Sequence, residues 1–158
     1  MPVVKTNHFY DLDRCLVEWE FIQMRMGMKL YDNDEVLGTG IYGQRRQTCL
    51  QQISANNKLD WLEGTVFADI IRDVDGERSR IMEMNSYTTY SVHKDKSPRY
   101  HLALTTNPNA YFIFPTLNEI MHIPADGCLY EVDTTKPHSF VNCGPDRTHL
   151  VISKRSSS

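Results

Sequence analysis

RYHLALTTNPNAYFIFPTLNEIMHIPADGCLYEV, residues 99–132, is the stretch that decides the fold. Short apolar segments alternate in it with turn residues such as Asn107-Pro108-Asn109 and Asp126-Gly127, a pattern typical of antiparallel strands. The same pattern extends in both directions and predicts strands at residues 80–87, 91–93, 99–105, 110–114, 119–123, 128–132, 138–142 and 147–153. Short strands at such close spacing are typical of a sandwich or barrel, and we predict a jelly roll.

The N-terminal part of the chain has a different pattern. Apolar residues recur at three- and four-residue steps over residues 11–26, which predicts an amphipathic helix with Asp11 as its N-cap and Gly27 as its stop. Residues 37–43 (LGTGIYG) contain three glycines and predict a loop. Residues 57–64 predict a second short helix or turn.

These patterns together predict a mainly β (α+β) architecture in a single domain over residues 1–158. We expect a helix-and-loop region at 1–78 whose helices pack against a jelly-roll core at 79–153. A short tail at 154–158 follows the last strand.

The composition of the 158-residue chain fits an ordinary globular domain, with 41% hydrophobic and 23% charged residues. A net charge of -3 favours neither nucleic acid nor an anionic membrane, and we expect neither as a partner. No apolar run is long enough to span a bilayer, and the first residues do not resemble a secretory signal. The four cysteines form no C-x-x-C motif, which favours reduced thiols and a cytoplasmic location.

Two histidines and a carboxylate in the strand-rich region offer ligands for a metal ion. His93 and Asp95 form an H-x-D pair, and residues i and i+2 of a strand point to the same side. His138 lies far along the chain, but a jelly roll brings its second and seventh strands together near one mouth. Two histidines and one carboxylate suit a mononuclear Fe(II) oxygenase, because this set leaves positions open for an organic co-substrate and dioxygen. The alternatives are a solvated strand-end pair and a structural, hydrogen-bonded His138.

Arg147 begins a predicted strand on the face that should point inward. A guanidinium in an apolar interior needs an anionic partner, because a buried unpaired charge is costly. The carboxylate of a co-substrate would provide one through a bidentate pair. The alternative is an ion pair with a nearby carboxylate, Asp146, Asp133 or Glu131.

Arg99 and His101 share another strand face with Ala103, again in a row that should point inward. These two polar side chains could hold the other end of the co-substrate. The alternative for Arg99 is a cation that faces solvent near the start of its strand.

The runs RYHLAL (99–104), VDTTKPHSFVN (132–142) and DRTHL (146–150) resemble the aspartyl/asparaginyl β-hydroxylase family. That family consists of Fe(II)- and 2-oxoglutarate-dependent dioxygenases with a double-stranded β-helix, or jelly-roll, core, and it extends to hydroxylases of free proline. The resemblance covers roughly residues 80–153. Asp95 resembles the prolyl-type members, since some other members have glycine at that position.

The resemblance implies a metal site, a co-substrate site and a reaction. The implied iron ligands are His93, Asp95 and His138. The implied 2-oxoglutarate contacts are Arg147 at the distal carboxylate, with Arg99 and His101 near the 2-oxo acid end. The implied reaction hydroxylates an amino acid or a peptidyl residue of the Pro, Asp or Asn type and releases succinate and carbon dioxide.

The substrate site is expected at the rim formed by the loop 38–43 with Arg45 and Arg46. The two arginines could receive a substrate carboxylate or form a solvated charge pair. Trp61, Tyr87 and Tyr90 could line the pocket, and the alternative for all three is an aromatic core residue. Two other function classes stay open. One is a cupin-like metal enzyme that does not use 2-oxoglutarate, which would not need an inward Arg147. The other is a non-catalytic jelly-roll binding module.

Overall fold

The computed structural model describes residues 1–26, 31–33, 45–51 and 56–155. The strands of this described part are β1 (Val3–Phe9), β2 (Tyr31–Asn33), β3 (Arg45–Cys49), β4 (Glu77–Met84), β5 (Thr88–Thr89), β6 (Arg99–Thr105), β7 (Ala110–Phe114), β8 (Glu119–Met121), β9 (Cys128–Val132), β10 (Ser139–Asn142) and β11 (Arg147–Ser153). The helices are α1 (Leu12–Met26) and α2 (Val66–Asp73), with short 3-10 helices at Asp60–Leu62 and Pro115–Leu117. No helix within these ranges is long and apolar enough to cross a membrane.

Two antiparallel sheets form the core. The larger has the strand order β1-β9-β6-β11-β4-β3-β2, and the smaller has the order β5-β10-β7-β8. An apolar cluster joins the two sheets and includes Met84, Ala103, Phe112, Phe114, Tyr130 and Phe140. A second apolar cluster packs α1 and α2 on the outer face of the larger sheet. The predicted jelly roll with helices packed against it is therefore confirmed.

Alternation along β6 and β11 explains why these central strands are buried on both faces. The side chains that pack against the helices have even numbers: Leu102, Leu104, Leu150 and Ile152. The side chains that face the smaller sheet have odd numbers: Arg99, His101, Arg147 and His149. Since strand side chains alternate in direction, one face builds the hydrophobic layer and the other brings polar groups into the space between the sheets.

The helix predicted at 11–26 is confirmed as α1. The carboxylate of Asp11 accepts a hydrogen bond from the backbone N–H of Arg14 at 3.2 Å and so caps the helix. Its predicted apolar stripe is buried at Cys15, Trp19 and Ile22. The predicted stop at Gly27 and the glycine loop at 37–43 lie outside the described residues.

The prediction that residues 1–78 contain only helices and loops is wrong. β1 pairs with β9 at one end of the larger sheet, and β2 and β3 extend its other end beyond β4. In β1 only Val3 is buried, so the strand has little apolar alternation for a sequence pattern to detect. Such outer strands are stabilised mainly by backbone hydrogen bonds, which every sequence can form.

The short helix or turn predicted at 57–64 is confirmed by the 3-10 helix Asp60–Leu62 and the turn that follows it, whereas α2 follows where no helix is expected. Thr65 caps α2 by accepting a hydrogen bond from the N–H of Ala68 at 3.3 Å. The helix has only eight residues, too few for a clear helical period, although five of them are buried.

The predicted bounds of β6, β7, β9 and β11 are confirmed, whereas the four other predicted strands differ. Those predicted at 119–123 and 138–142 are shortened to β8 and β10. The strand predicted at 80–87 runs from Glu77 to Met84 because the chain turns before Tyr87, whose φ is 56°. The strand predicted at 91–93 is reduced to a single bridge between His93 and His138. This bridge shapes the site described next.

Candidate metal centre and cationic cavity

The isolated bridge brings His93 and His138 side by side. The N–H of His93 donates to the carbonyl of His138 at 3.0 Å, and the reverse bond is 2.9 Å long. Facing residues of an antiparallel pair point to the same side, and the two imidazole centroids lie 4.5 Å apart. The N–H of Asp95 donates to the carbonyl of Thr134 at 2.8 Å, which places this residue next to both rings.

The hydrogen bonds of the two imidazoles leave the same nitrogen of each ring available. Nδ1 of His93 lies 2.9 Å from the carbonyl oxygen of Ser91, and Nδ1 of His138 lies 2.9 Å from that of Lys136. A carbonyl oxygen only accepts, so each Nδ1 carries the proton and each Nε2 keeps its lone pair. Metal-binding histidines in proteins are oriented by hydrogen bonds of this kind.

The carboxylate of Asp95 lies beside the two available nitrogens. Its Oδ1 is 3.6 Å from Nε2 of His93, and its Oδ2 is 3.7 Å from Nε2 of His138. These separations are too long for good hydrogen bonds, but they suit ligand atoms of one ion that is bound at about 2.1 Å. The candidate ligand atoms of all three residues lie within 4.8 Å of one another.

The chemistry of this donor set fits a ferrous ion. Burial lowers the pKa of His138 below its ordinary value, which keeps the imidazole neutral and able to bind a cation near neutral pH. Two neutral imidazoles and one carboxylate are the ligands that non-haem Fe(II) oxygenases use.

A cavity of about 270 Å³ opens between the sheets, with His93, Asp95 and His138 in its wall. Its other charged lining residues, within the described part of the chain, are Arg80, Arg99 and Arg147. Three guanidinium groups thus face one carboxylate. This excess of positive charge favours an anionic ligand.

Arg147 is the most deeply buried of the three arginines, with 2% of its surface exposed. Its Nη1 donates to the carbonyl of Met82 at 3.0 Å, and its guanidinium lies over the ring of Phe140, 4.2 Å from the centroid. The carboxylates considered as alternative partners have other contacts: Glu131 with Lys154, Asp146 with the N–H of Ser86, and Asp133 with the N–H of Thr135.

Arg99 lies close to the candidate metal ligands. Its Nη2 is 3.4 Å from Oδ1 of Asp95, and its Nε has no hydrogen-bond partner among the described residues. Burial lowers the pKa of Arg99, and the negative charge of Asp95 opposes this shift. Because the residue is only 9% exposed, the alternative of a solvent-facing cation is wrong.

His101 lines the same cavity and is hydrogen-bonded to a second buried histidine. Its Nδ1 lies 3.1 Å from Nδ1 of His149, which comes from the neighbouring strand β11. Burial, followed by the charge of Arg147, holds the pKa of both imidazoles far below the ordinary value. Both rings are therefore neutral near neutral pH.

Of the expected substrate residues Arg45, Arg46 and Tyr87, only Tyr87 has a described side chain. Arg45 and Arg46 begin β3, but their side chains lie outside the described part of the structure, as does the loop 38–43. The prediction that Tyr87 lines the pocket is corrected, because the turn after β4 leaves it 56% exposed and outside the described cavity wall. Tyr90 does line the cavity as expected, with its ring centroid 5.1 Å from that of His93, whereas Trp61 is not in the described cavity wall.

Sequence analysis did not identify Arg80, Met82 or Gln47 as cavity residues. Arg80 and Met82 flank the buried Ile81 on β4, so strand alternation places them on the opposite, inner face. The same argument that places Arg147 inward would have found Arg80. No comparable signal marks Gln47, because β3 lies outside the region where strands are predicted.

No protein-family model and no curated protein sequence matches the chain. Among solved structures, it resembles a prolyl-4-hydroxylase from Pseudomonas putida, with 14% identity and a TM-score of 0.56 over 98% of this chain and 94% of that chain. It also resembles the viral collagen prolyl hydroxylase vCPH of Paramecium Bursaria Chlorella virus-1, solved as a 2-oxoglutarate complex, with 13% identity and a TM-score of 0.54 over 97% of each chain. The chain has the fold of these prolyl hydroxylases.

A third similar structure is a prolyl hydroxylase from Trichoplax adhaerens in complex with a peptide of the hypoxia-inducible factor. The identity is 11% and the TM-score 0.56, over 97% of this chain and 84% of that chain. At such low identity the likeness shows the fold alone. The narrower resemblance to aspartyl/asparaginyl hydroxylases stays a prediction.

Proposed function

We propose that this chain is an Fe(II)- and 2-oxoglutarate-dependent dioxygenase that hydroxylates an amino acid or a peptidyl residue. The observation that carries the proposal is the convergence of His93, Asp95 and His138 in the wall of a cavity lined by three arginines. The fold is shared with prolyl hydroxylases, of which one was solved with 2-oxoglutarate and another with a peptide. Both comparisons support the same reaction class.

His93, Asp95 and His138 would hold the iron. The Nδ1 hydrogen bonds orient both imidazoles in the absence of an ion, so metal binding would require little further ordering of these two side chains. When bound, Fe(II) and 2-oxoglutarate supply the oxidation: dioxygen converts 2-oxoglutarate to succinate and carbon dioxide, and its second oxygen atom becomes the new hydroxyl of the substrate.

Arg147 would bind the distal carboxylate of 2-oxoglutarate. Its guanidinium is already held against Phe140 and the carbonyl of Met82, so its donors are oriented in advance. Arg99, which lies next to Asp95, and His101, which lines the same cavity, would contact the 2-oxo acid end. Phe112 and Phe140 belong to the apolar cluster between the sheets, and their aromatic rings would help to exclude water from the bound co-substrate.

Residues of the Pro, Asp and Asn type are the proposed substrates, either free or within a peptide. The decisive experiment follows succinate in the presence of Fe(II) and 2-oxoglutarate, first with free amino acids and then with peptides that contain these residues. We expect succinate release that needs both additions and increases with one substrate class. Metal-dependent turnover without 2-oxoglutarate would identify a different kind of metal enzyme, and absence of metal binding would indicate a binding module.

A further inference from the structure

We infer that His149 is a positioning residue that fixes the tautomer of His101, so that His101 donates a hydrogen bond from Nε2 into the cavity. The hydrogen bond between their two Nδ1 atoms carries this inference. That the acceptor is a carboxylate of 2-oxoglutarate rests on the proposed function, whereas the tautomer itself does not.

The pair shares a single proton between the two Nδ1 atoms. Each neutral imidazole has one N–H and one lone pair, so one Nδ1 donates at 3.1 Å and the other accepts. If His149 donates, His101 must carry its own proton on Nε2. If His101 donates, the proton of His149 moves to Nε2 instead.

Burial of Nε2 of His149 decides between the two arrangements. This atom is buried and has no hydrogen-bond partner among the described residues. A buried N–H without an acceptor costs about 1–3 kcal/mol, and orphaned donors are rarer in proteins than under-satisfied acceptors. The favoured arrangement therefore keeps the proton of His149 on Nδ1, where it has a partner.

The cavity therefore contains a neutral hydrogen-bond donor, the Nε2–H of His101, next to the positively charged arginines. His101 lines the cavity, and its Nε2 lies on the side of the ring opposite the bond to His149. An Nε2–H in this position donates to a carboxylate oxygen, whereas a lone pair would repel that oxygen. The ring is held edge-on against Phe112, with centroids 5.1 Å apart, so the donor direction is fixed.

The groups around the pair oppose protonation of either ring. Arg147, Arg99, Arg80 and His138 act electrostatically on His101, and Arg147 and His122 act on His149. Burial, followed by the positive charge of Arg147, lowers the pKa of both imidazoles and keeps them neutral, so the donor does not depend on protonation of the pair. An anion drawn in by the arginines then meets an oriented N–H.

The direct test is the ring ¹⁵N and ¹³C NMR spectrum of the full chain loaded with diamagnetic Zn(II). We expect His101 to carry its proton on Nε2 and His149 on Nδ1. The internal controls are His93, His122 and His138, whose Nδ1 atoms face carbonyl oxygens and should all be protonated there. A proton on Nδ1 of His101 would overturn the inference, whatever the protein's activity.

Two substitutions separate positioning from packing. His149→Asn places an amide N–H at the position of Nδ1 and should keep the 2-oxoglutarate KM close to that of the wild type. His149→Leu has no donor, and the KM should rise about tenfold or more while Fe(II) affinity is unchanged. Equal KM values in the two variants would contradict the positioning role. If the wild type binds no 2-oxoglutarate, the proposed function fails, but the NMR result still decides the tautomer.

Discussion

The two faces of β6 and β11 differ in chemistry, although both belong to the same two strands. The outer face presents apolar side chains to the helices, chiefly Leu102, Leu104, Leu150 and Ile152, each at most 1% exposed, with Tyr100 packed beside them. The inner face presents two arginines and two histidines, Arg99, His101, Arg147 and His149, which are also buried. The outer face therefore stabilises the fold and the inner face carries the candidate site, so substitutions on the two faces should separate stability from binding.

The largest effect is expected at the candidate metal centre. His138→Ala removes the buried imidazole ligand and should abolish both Fe(II) binding and 2-oxoglutarate-dependent succinate release, because two remaining ligands hold the ion poorly. The matched control is His122→Ala, since His122 also bonds a carbonyl through Nδ1 but is exposed. Iron titration of both variants checks this, and normal iron affinity in His138→Ala would remove this residue from the site.

On the outer face, Leu150→Ala should affect stability and leave binding intact. Leu150 is fully buried under the helices, and truncation of such a leucine costs about 2–5 kcal/mol. Urea unfolding measures the loss, with Val17→Ala, at a position 66% exposed on α1, as the control that should change little. If folded Leu150→Ala bound iron more weakly than the wild type while its free energy of unfolding were unchanged, the two faces would not act separately.

On the inner face, Arg147→Met should raise the 2-oxoglutarate KM by about 10- to 100-fold, because a charge-assisted hydrogen bond contributes about 1.5–3 kcal/mol. Iron affinity should stay unchanged. Arg155→Gln is the control, as Arg155 pairs with Asp75 and Glu77 on the surface. A 2-oxoglutarate KM that is the same in all three proteins would assign Arg147 a structural role.

The smallest effect concerns pH. In the unfolded chain, His101 and His149 take up protons near pH 6.5, whereas in the folded chain their pKa lies well below 6.5. Just below pH 6.5 the unfolded state therefore binds more protons, and the free energy of unfolding falls as the pH drops. Tm should decline from about pH 7.5 to about pH 5.5. The decline should be less steep in His149→Asn, and equal slopes would contradict the account.

The sequence predicts the inner and outer faces of β6 and β11 because alternation is a local property of strands. It also predicts α1, whose apolar stripe extends over several turns and whose cap is Asp11. β1 and β3 are not predicted from the sequence. They are stabilised by hydrogen bonds to neighbouring strands, which a local sequence pattern does not reveal. α2 is not predicted, because a segment of eight residues is too short to show a clear helical period in its apolar residues.

The candidate site is predictable in its residue types but not in its contacts. The H-x-D spacing in the sequence indicates that His93 and Asp95 can point to the same face of a strand. Their meeting with His138 depends on a single bridge, which is a non-local contact. The partner of His101 is set in the same way by the register of β11 against β6, which no local pattern encodes.

The most direct test of the central claim is an anaerobic titration of the full chain with Fe(II) and 2-oxoglutarate, followed by visible absorption. We predict a charge-transfer band that needs both additions, saturates at one iron per chain and is absent in His138→Ala. Iron that fails to bind, or bound iron whose spectrum does not change with 2-oxoglutarate, would contradict the account.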